Sequence, residues 1–91
     1  LIENVYTLKI LNMDQTLHEY RLDVTSSQEF EWVGERTVLV NSGEAFSLPV
    51  RLRVSPAQLA YPSVEITFTV TDTERASHTN STESRFIGPT R

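Results

Sequence analysis

Two histidines, His18 and His78, are the side chains of this sequence best suited to hold a metal or carry a proton, and Met13 is its single thioether. Metal binding would need both imidazoles to converge with a further ligand, for which Met13 or a carboxylate is the candidate. The two lie far apart, in or beside polar segments, with no recognised ligand spacing. They are therefore read as surface or turn histidines. The chain contains no cysteine. That excludes a blue-copper centre, whose trigonal ligand set includes a thiolate. It also removes disulfides, thiolate zinc sites, iron–sulfur ligands and cysteine nucleophiles from this segment.

Serine, histidine and aspartate all occur, but no serine sits in a G-x-S-x-G context and neither histidine has a neighbour that would orient it as a base. The acid pairs Glu29/Glu31 and Asp72/Glu74 fall at i, i+2. On a strand that spacing puts both carboxylates on one face, and they are read as solubilising side chains. Arg51 and Arg53 share a strand face in the same way; they could meet an acidic partner, but a charged face that discourages edge pairing is the preferred reading. Asn80-Ser81-Thr82 matches the short glycosylation pattern, which matters only in a secretory pathway. No residue is assigned a catalytic, cofactor-binding or metal-ligating role.

These side chains must be carried by a small scaffold. Residues 1–91 are read as one domain, because a chain of 91 residues leaves no room for a second core. Twelve acidic against eight basic residues give a net charge of -4. With no basic run or stripe, the electrostatic footprint of a nucleic-acid binder is missing. No apolar run approaches the roughly 20 residues that cross a bilayer, and no signal-peptide pattern opens the chain. The start at Leu1, almost directly into a strand pattern, leads us to expect a domain of a longer protein.

Period-2 alternation marks the strands. Tyr6, Leu8 and Ile10 form one apolar face, residues 12–16 supply turn formers, and Tyr20, Leu22 and Val24 form the next face, together predicting an antiparallel hairpin. Two shorter strands fit around Phe30/Trp32 and Thr37-Val38-Leu39-Val40, with Trp32 expected on a central strand. Phe46, Leu48, Val50, Leu52 and Val54 alternate most clearly. Pro49 within that run argues for an edge position or a bulge, because it lacks an amide hydrogen. Ser55-Pro56-Ala57-Gln58-Leu59 reads as a one-turn corner. Val64, Ile66, Phe68 and Val70 give another strand, with Tyr61 ahead of it placed as a tyrosine corner. Residues 72–84 read as polar and turn-rich, with Phe86-Ile87 anchoring a last strand. Six or seven short strands without an amphipathic helix describe an all-β, immunoglobulin-like antiparallel sandwich lacking the Cys…Trp…Cys hallmark.

The run Asn4-Val5-Tyr6-Thr7-Leu8-Lys9-Ile10, Asn12 before the turn, His18 and Tyr20 in the return strand, and Gly43-Glu44 leading into Leu48-Pro49-Val50 resemble the C-terminal immunoglobulin-like domain of the FixG/CcoG family, the bacterial cytochrome c oxidase accessory proteins. The resemblance covers most of the chain and weakens over residues 28–37 and after 71. It implies a parent that is a membrane polyferredoxin with [4Fe–4S] clusters, assisting assembly of the cbb3-type oxidase by reducing copper. None of its transmembrane helices or cluster cysteines is present here, so no residue of this chain inherits a cluster-ligand role and no cofactor is expected in the domain itself. The resemblance further implies a domain on the periplasmic face of the inner membrane whose partners are oxidase assembly components. The expected role is a non-catalytic interaction or positioning module. The alternatives are copper handling through His18, His78 and Met13, or an adhesion or carbohydrate-binding sandwich of an unrelated secreted protein.

Overall fold

In the computed structural model, which describes residues 1–89, the alternating segments form seven strands. They are β1 (Ile2–Leu11), β2 (His18–Ser26), β3 (Glu31–Val33), β4 (Thr37–Val40), β5 (Ala45–Val54), β6 (Ser63–Asp72) and β7 (Thr79–Ile87). One sheet has the order β1-β5-β3 and the other β4-β2-β6-β7, and every pairing is antiparallel. The alternation works as expected: Ile10, Leu22, Val50, Leu52, Ile66 and Phe68 point between the layers and are buried, while their odd-numbered neighbours are exposed or half-buried. Phe68 sits at the middle of this core, with Tyr6 edge-on at 4.9 Å and Trp32 edge-on at 6.1 Å.

The expected hairpin of β1 and β2 does not form. β1 pairs with β5 along its whole length, from Ile2↔Val54 to Leu11↔Ala45, and β2 lies in the other sheet between β4 and β6. Both strands carry one apolar face, and packing those faces against each other across about 10 Å buries both. Residues 12–17 are long enough to make that crossing. Trp32 is likewise on an edge strand, since β3 pairs only with β5; the guanidinium of Arg36 covers its ring at 5.0 Å.

Pro49 occupies the central strand of its sheet without a bulge. It is tolerated because β3 stops pairing at Val33↔Arg51, so that although Gly34 passes beside the Pro49 carbonyl, no β3 ladder bond is called for at the proline nitrogen. The one-turn corner is present, closed by Gln58 N donating to Ser55 O at 2.9 Å. Tyr61 is not a tyrosine corner: its side chain is 69% exposed and it anchors nothing. Most of the polar stretch expected to be turn is strand. β7 begins at Thr79 and pairs with β6 from Thr71↔Thr79 to Ser63↔Ile87. An edge strand held by its ladder and exposed on both faces carries no apolar alternation to read.

Candidate functional site

Three loops, 12–17, 41–44 and 73–78, meet at one end of the sandwich, and Asn12 ties the first two together. It is fully buried, and its backbone N–H and side-chain polar groups are all used. The backbone N–H donates to Glu44 O (3.0 Å), the side-chain amide donates to Val40 O (2.8 Å) and Thr16 O (2.9 Å), and Oδ1 accepts from Asp14 N (3.0 Å). That last bond is an Asx turn, the geometry for which Asn is favoured. Gly43, at φ +71°, lets the second loop turn tightly, and Ser42 Oγ donates to Asp14 O at 2.8 Å.

His18, the first residue of β2, points into this end and is buried at 5% exposure. Its Nε2 lies 2.8 Å from Asp14 Oδ2 and 3.3 Å from Thr16 Oγ1. Its Nδ1 lies 2.9 Å from Asp72 Oδ2, an ion-pair contact that is off the line of a hydrogen bond. Only the imidazolium has a proton on both nitrogens; the neutral ring serves one carboxylate at a time. Asp72 is also buried, at 3% exposure, and its Oδ1 accepts from Glu74 N at 2.9 Å. Asp72 is therefore not the solubilising partner of Glu74 that the i, i+2 spacing suggested: β6 ends at Asp72, and its carboxylate turns inward to His18. The Gln15 amide and the His18 ring hold the exposed Asp14 carboxyl below its usual range. Burial, with the charges of Asp72 and Asp14, pushes the Tyr20 hydroxyl up.

Beside this cluster the sandwich is open. A groove of about 640 Å³ runs between β1 and the β6–β7 pair, floored by Ile10, Tyr20 and Val70 and walled by His18 and Asp72. Met13, His78, Asn80 and Thr82 also line it. The structure thus brings both histidines and Met13 to one concavity, an association their sequence positions did not suggest. It does not bring them to a common point. Met13 is 86% exposed, His78 is exposed, and both nitrogens of His18 face carboxylates. Asp14 and Asp72 sit at opposite nitrogens of the ring, and among the described residues no group of three His, Asp or Glu side chains could hold a metal ion. Asn80 and Thr82 of the glycosylation pattern lie on the exposed strand β7.

Farther along the same edge the sandwich is closed by side chains. Asn4 Nδ2 donates to Ile87 O and Ile87 N donates to Asn4 Oδ1, both at 2.9 Å, so the amide takes the place of a strand partner for β7. The Tyr6 hydroxyl donates to Arg85 O at 2.8 Å, and burial pushes its pKa up to about 12. Arg51 and Arg53 are engaged as well: Glu3 lies 3.6 Å from the first and 3.2 Å from the second. Glu29 and Glu31 remain exposed, as their spacing implied.

A family model described as "IG-like fold at C-terminal of FixG, putative oxidoreductase" matches residues 1–89. A solved structure, a FixG-related protein from Vibrio parahaemolyticus, superposes with a TM-score of 0.90 at 38% identity, covering 98% of this chain and 81% of that chain. No curated protein matches the sequence. An immunoglobulin-like sandwich whose Asn4, Tyr6, Asn12 and His18 are all structural anchors, matched over residues 1–89 by that family model, belongs to the FixG family as its C-terminal domain.

Proposed function

We propose that this chain is a non-catalytic, periplasm-facing module that docks or positions its parent, a membrane-bound iron–sulfur protein that reduces copper during assembly of the cbb3-type oxidase. The observation that carries the reading is the family match over residues 1–89 to the C-terminal part of FixG. The residues at the groove agree with it. His18 is committed to Asp14 and Asp72, which suits a strut between loops better than a proton carrier. No helix among the described residues is long and apolar enough to cross a membrane, so anchoring and clusters would fall to other parts of the parent. The groove and the exposed edge strands of the two sheets are surfaces a protein partner could meet.

The test is to delete this domain from the parent protein in cells that depend on the cbb3-type oxidase. Impaired oxidase assembly, with the rest of the parent still in the membrane, is the expected result. Normal assembly, together with no association between the isolated domain and oxidase subunits, would remove the role.

The placement of His18, His78 and Met13 around one groove favours copper handling as a second reading. Copper titration of the domain, repeated with His78→Ala and Met13→Ala, separates the two. Micromolar or tighter binding that both changes weaken supports copper handling, and millimolar binding leaves the docking role alone. Family membership removes the premise of an unrelated secreted adhesin or carbohydrate binder.

A further inference from the structure

Sheets end in edges, and an unpaired edge is a template for another strand unless it is short, interrupted, charged or covered. Three edges here are managed in that way. β3 and β4 have three and four residues. β7 is polar, and its end is occupied by the Asn4 and Tyr6 side chains. β1 is the long, uninterrupted edge, although Glu3 and Lys9 place charge on its outward face. It runs for ten residues in unbroken register with β5, with no proline and no bulge, and among the described residues its other flank has no strand neighbour. Its outward residues include the exposed apolar side chains Val5 (66%) and Leu11 (58%), continued by Leu1 (78%).

The outward face of β1 is complementary to itself. Two copies laid antiparallel about a twofold axis at Tyr6 put Glu3 opposite Lys9, Val5 opposite Thr7 and Leu1 opposite Leu11, each pair occurring twice. Opposite charges, a β-branched pair and an apolar pair are all favourable directly across strands. A slip of two residues loses this match, setting Leu1 against Lys9 or Glu3 against Leu11. On the inward face Ile2 meets Ile10. We propose that β1 is a self-association edge, joining two copies of this domain into one continuous six-stranded sheet through β1–β1 pairing about Tyr6. The contact is isologous, as a twofold dimer requires. A single strand pair buries less than a standard interface, so the dimer is weak and concentration-dependent. It is independent of the oxidase-assembly reading, since it concerns only this chain's own edge.

Sedimentation velocity of the 91-residue chain, from micromolar to millimolar concentration, should show a monomer–dimer equilibrium. Lys9→Glu sets like charges against Glu3 at two symmetric places and should weaken the dimer about tenfold while the monomer melts normally. The absence of cysteine permits a test of register. In the proposed pairing, residues 5 and 7 of the two copies are directly opposed, within disulfide reach. A mixture of Val5→Cys and Thr7→Cys proteins should therefore oxidise to a cross-linked dimer faster than either alone. A chain that stays monomeric throughout, or a mixture that cross-links no faster than its components, would overturn the proposal. So would protection of the β1 amides in the longer polypeptide that does not vary with its concentration, which would mean that another strand already occupies the edge.

Discussion

The edge of the sandwich between β1 and β7 is built in two ways over its length. Toward the start of β1 it is zipped by side chains standing in for backbone, with the Asn4 amide on Ile87 and the Tyr6 hydroxyl on Arg85. Toward the end of β1 the layers part, and polar residues turn inward to brace the loops instead: Asn12, His18 and Asp72. The zipped half consists of neutral hydrogen bonds at an accessible edge. The open half depends on buried polar groups, each of which is costly once its partner is gone. The same edge should therefore respond very differently to single changes at its two ends.

His18→Ala should produce the largest effect. It leaves the Asp72 carboxylate buried without its ring partner and opens space beside it, a loss of about 3 kcal/mol by analogy with broken buried pairs. Urea unfolding monitored by Trp32 fluorescence would measure it. Asn12→Ala should come next, at about 2 kcal/mol, because the carbonyl of Val40 loses its donor inside the core. If either change cost no more than an exposed substitution, the open half would not be a braced region at all.

Asn4→Ala should cost less, about 1 kcal/mol, since the freed Ile87 groups can reach water. Its distinguishing readout is local. Hydrogen exchange at the Ile87 amide should rise sharply while amides of β2 and β6 keep their protection. Global loss of protection would mean that the zip is part of the core and that the two halves are not distinct.

Which face each strand buries was legible, because a period of two leaves a single answer once apolar residues alternate, as Tyr6-Leu8-Ile10 and Val64-Ile66-Phe68 do. Which strand pairs with which was not. Alternation in β1 and β2 describes a buried face and is equally consistent with neighbours in one sheet or opposite members of two. Short-range turn chemistry at residues 12–16 favoured the hairpin, but those residues make an Asx turn within a crossover between sheets. The groove was illegible for a related reason. Asn12 and Asp72 are typical turn residues by type, and their burial follows from three loops meeting, which no local window contains. The last strand was legible at Phe86-Ile87, but its start was hidden because Thr79, Asn80, Ser81 and Thr82 are held by hydrogen bonds to β6 rather than by burial. The signal that could have located the zip was present in Asn4-Val5-Tyr6: polar groups at inward positions of an otherwise apolar face need partners across the sandwich.

The smallest effects concern pH, and they separate the two halves by sign. In the open half, the Asp14 carboxyl is held below its usual range, so the unfolded chain takes up the proton first as pH falls. That contribution is complete above the ordinary carboxylate range and is lost on acidification. His18→Gln should diminish it without abolishing it, because the Gln15 amide is the stronger cause. In the zipped half, burial raises Tyr6 from 10.0 to about 12, so the unfolded chain releases its proton first as pH rises. Stability from Tyr6 is therefore full below pH 10.0 and is lost between there and about 12. Tyr6→Phe keeps the ring against Phe68, gives up the bond to Arg85, and should flatten the alkaline decline, leaving the part that belongs to Tyr20. Denaturation midpoints from pH 9 to about 11.5 on both proteins would measure this. An unchanged alkaline slope would mean that the Tyr6 hydroxyl is hydrated, and the zip would then reduce to Asn4 alone.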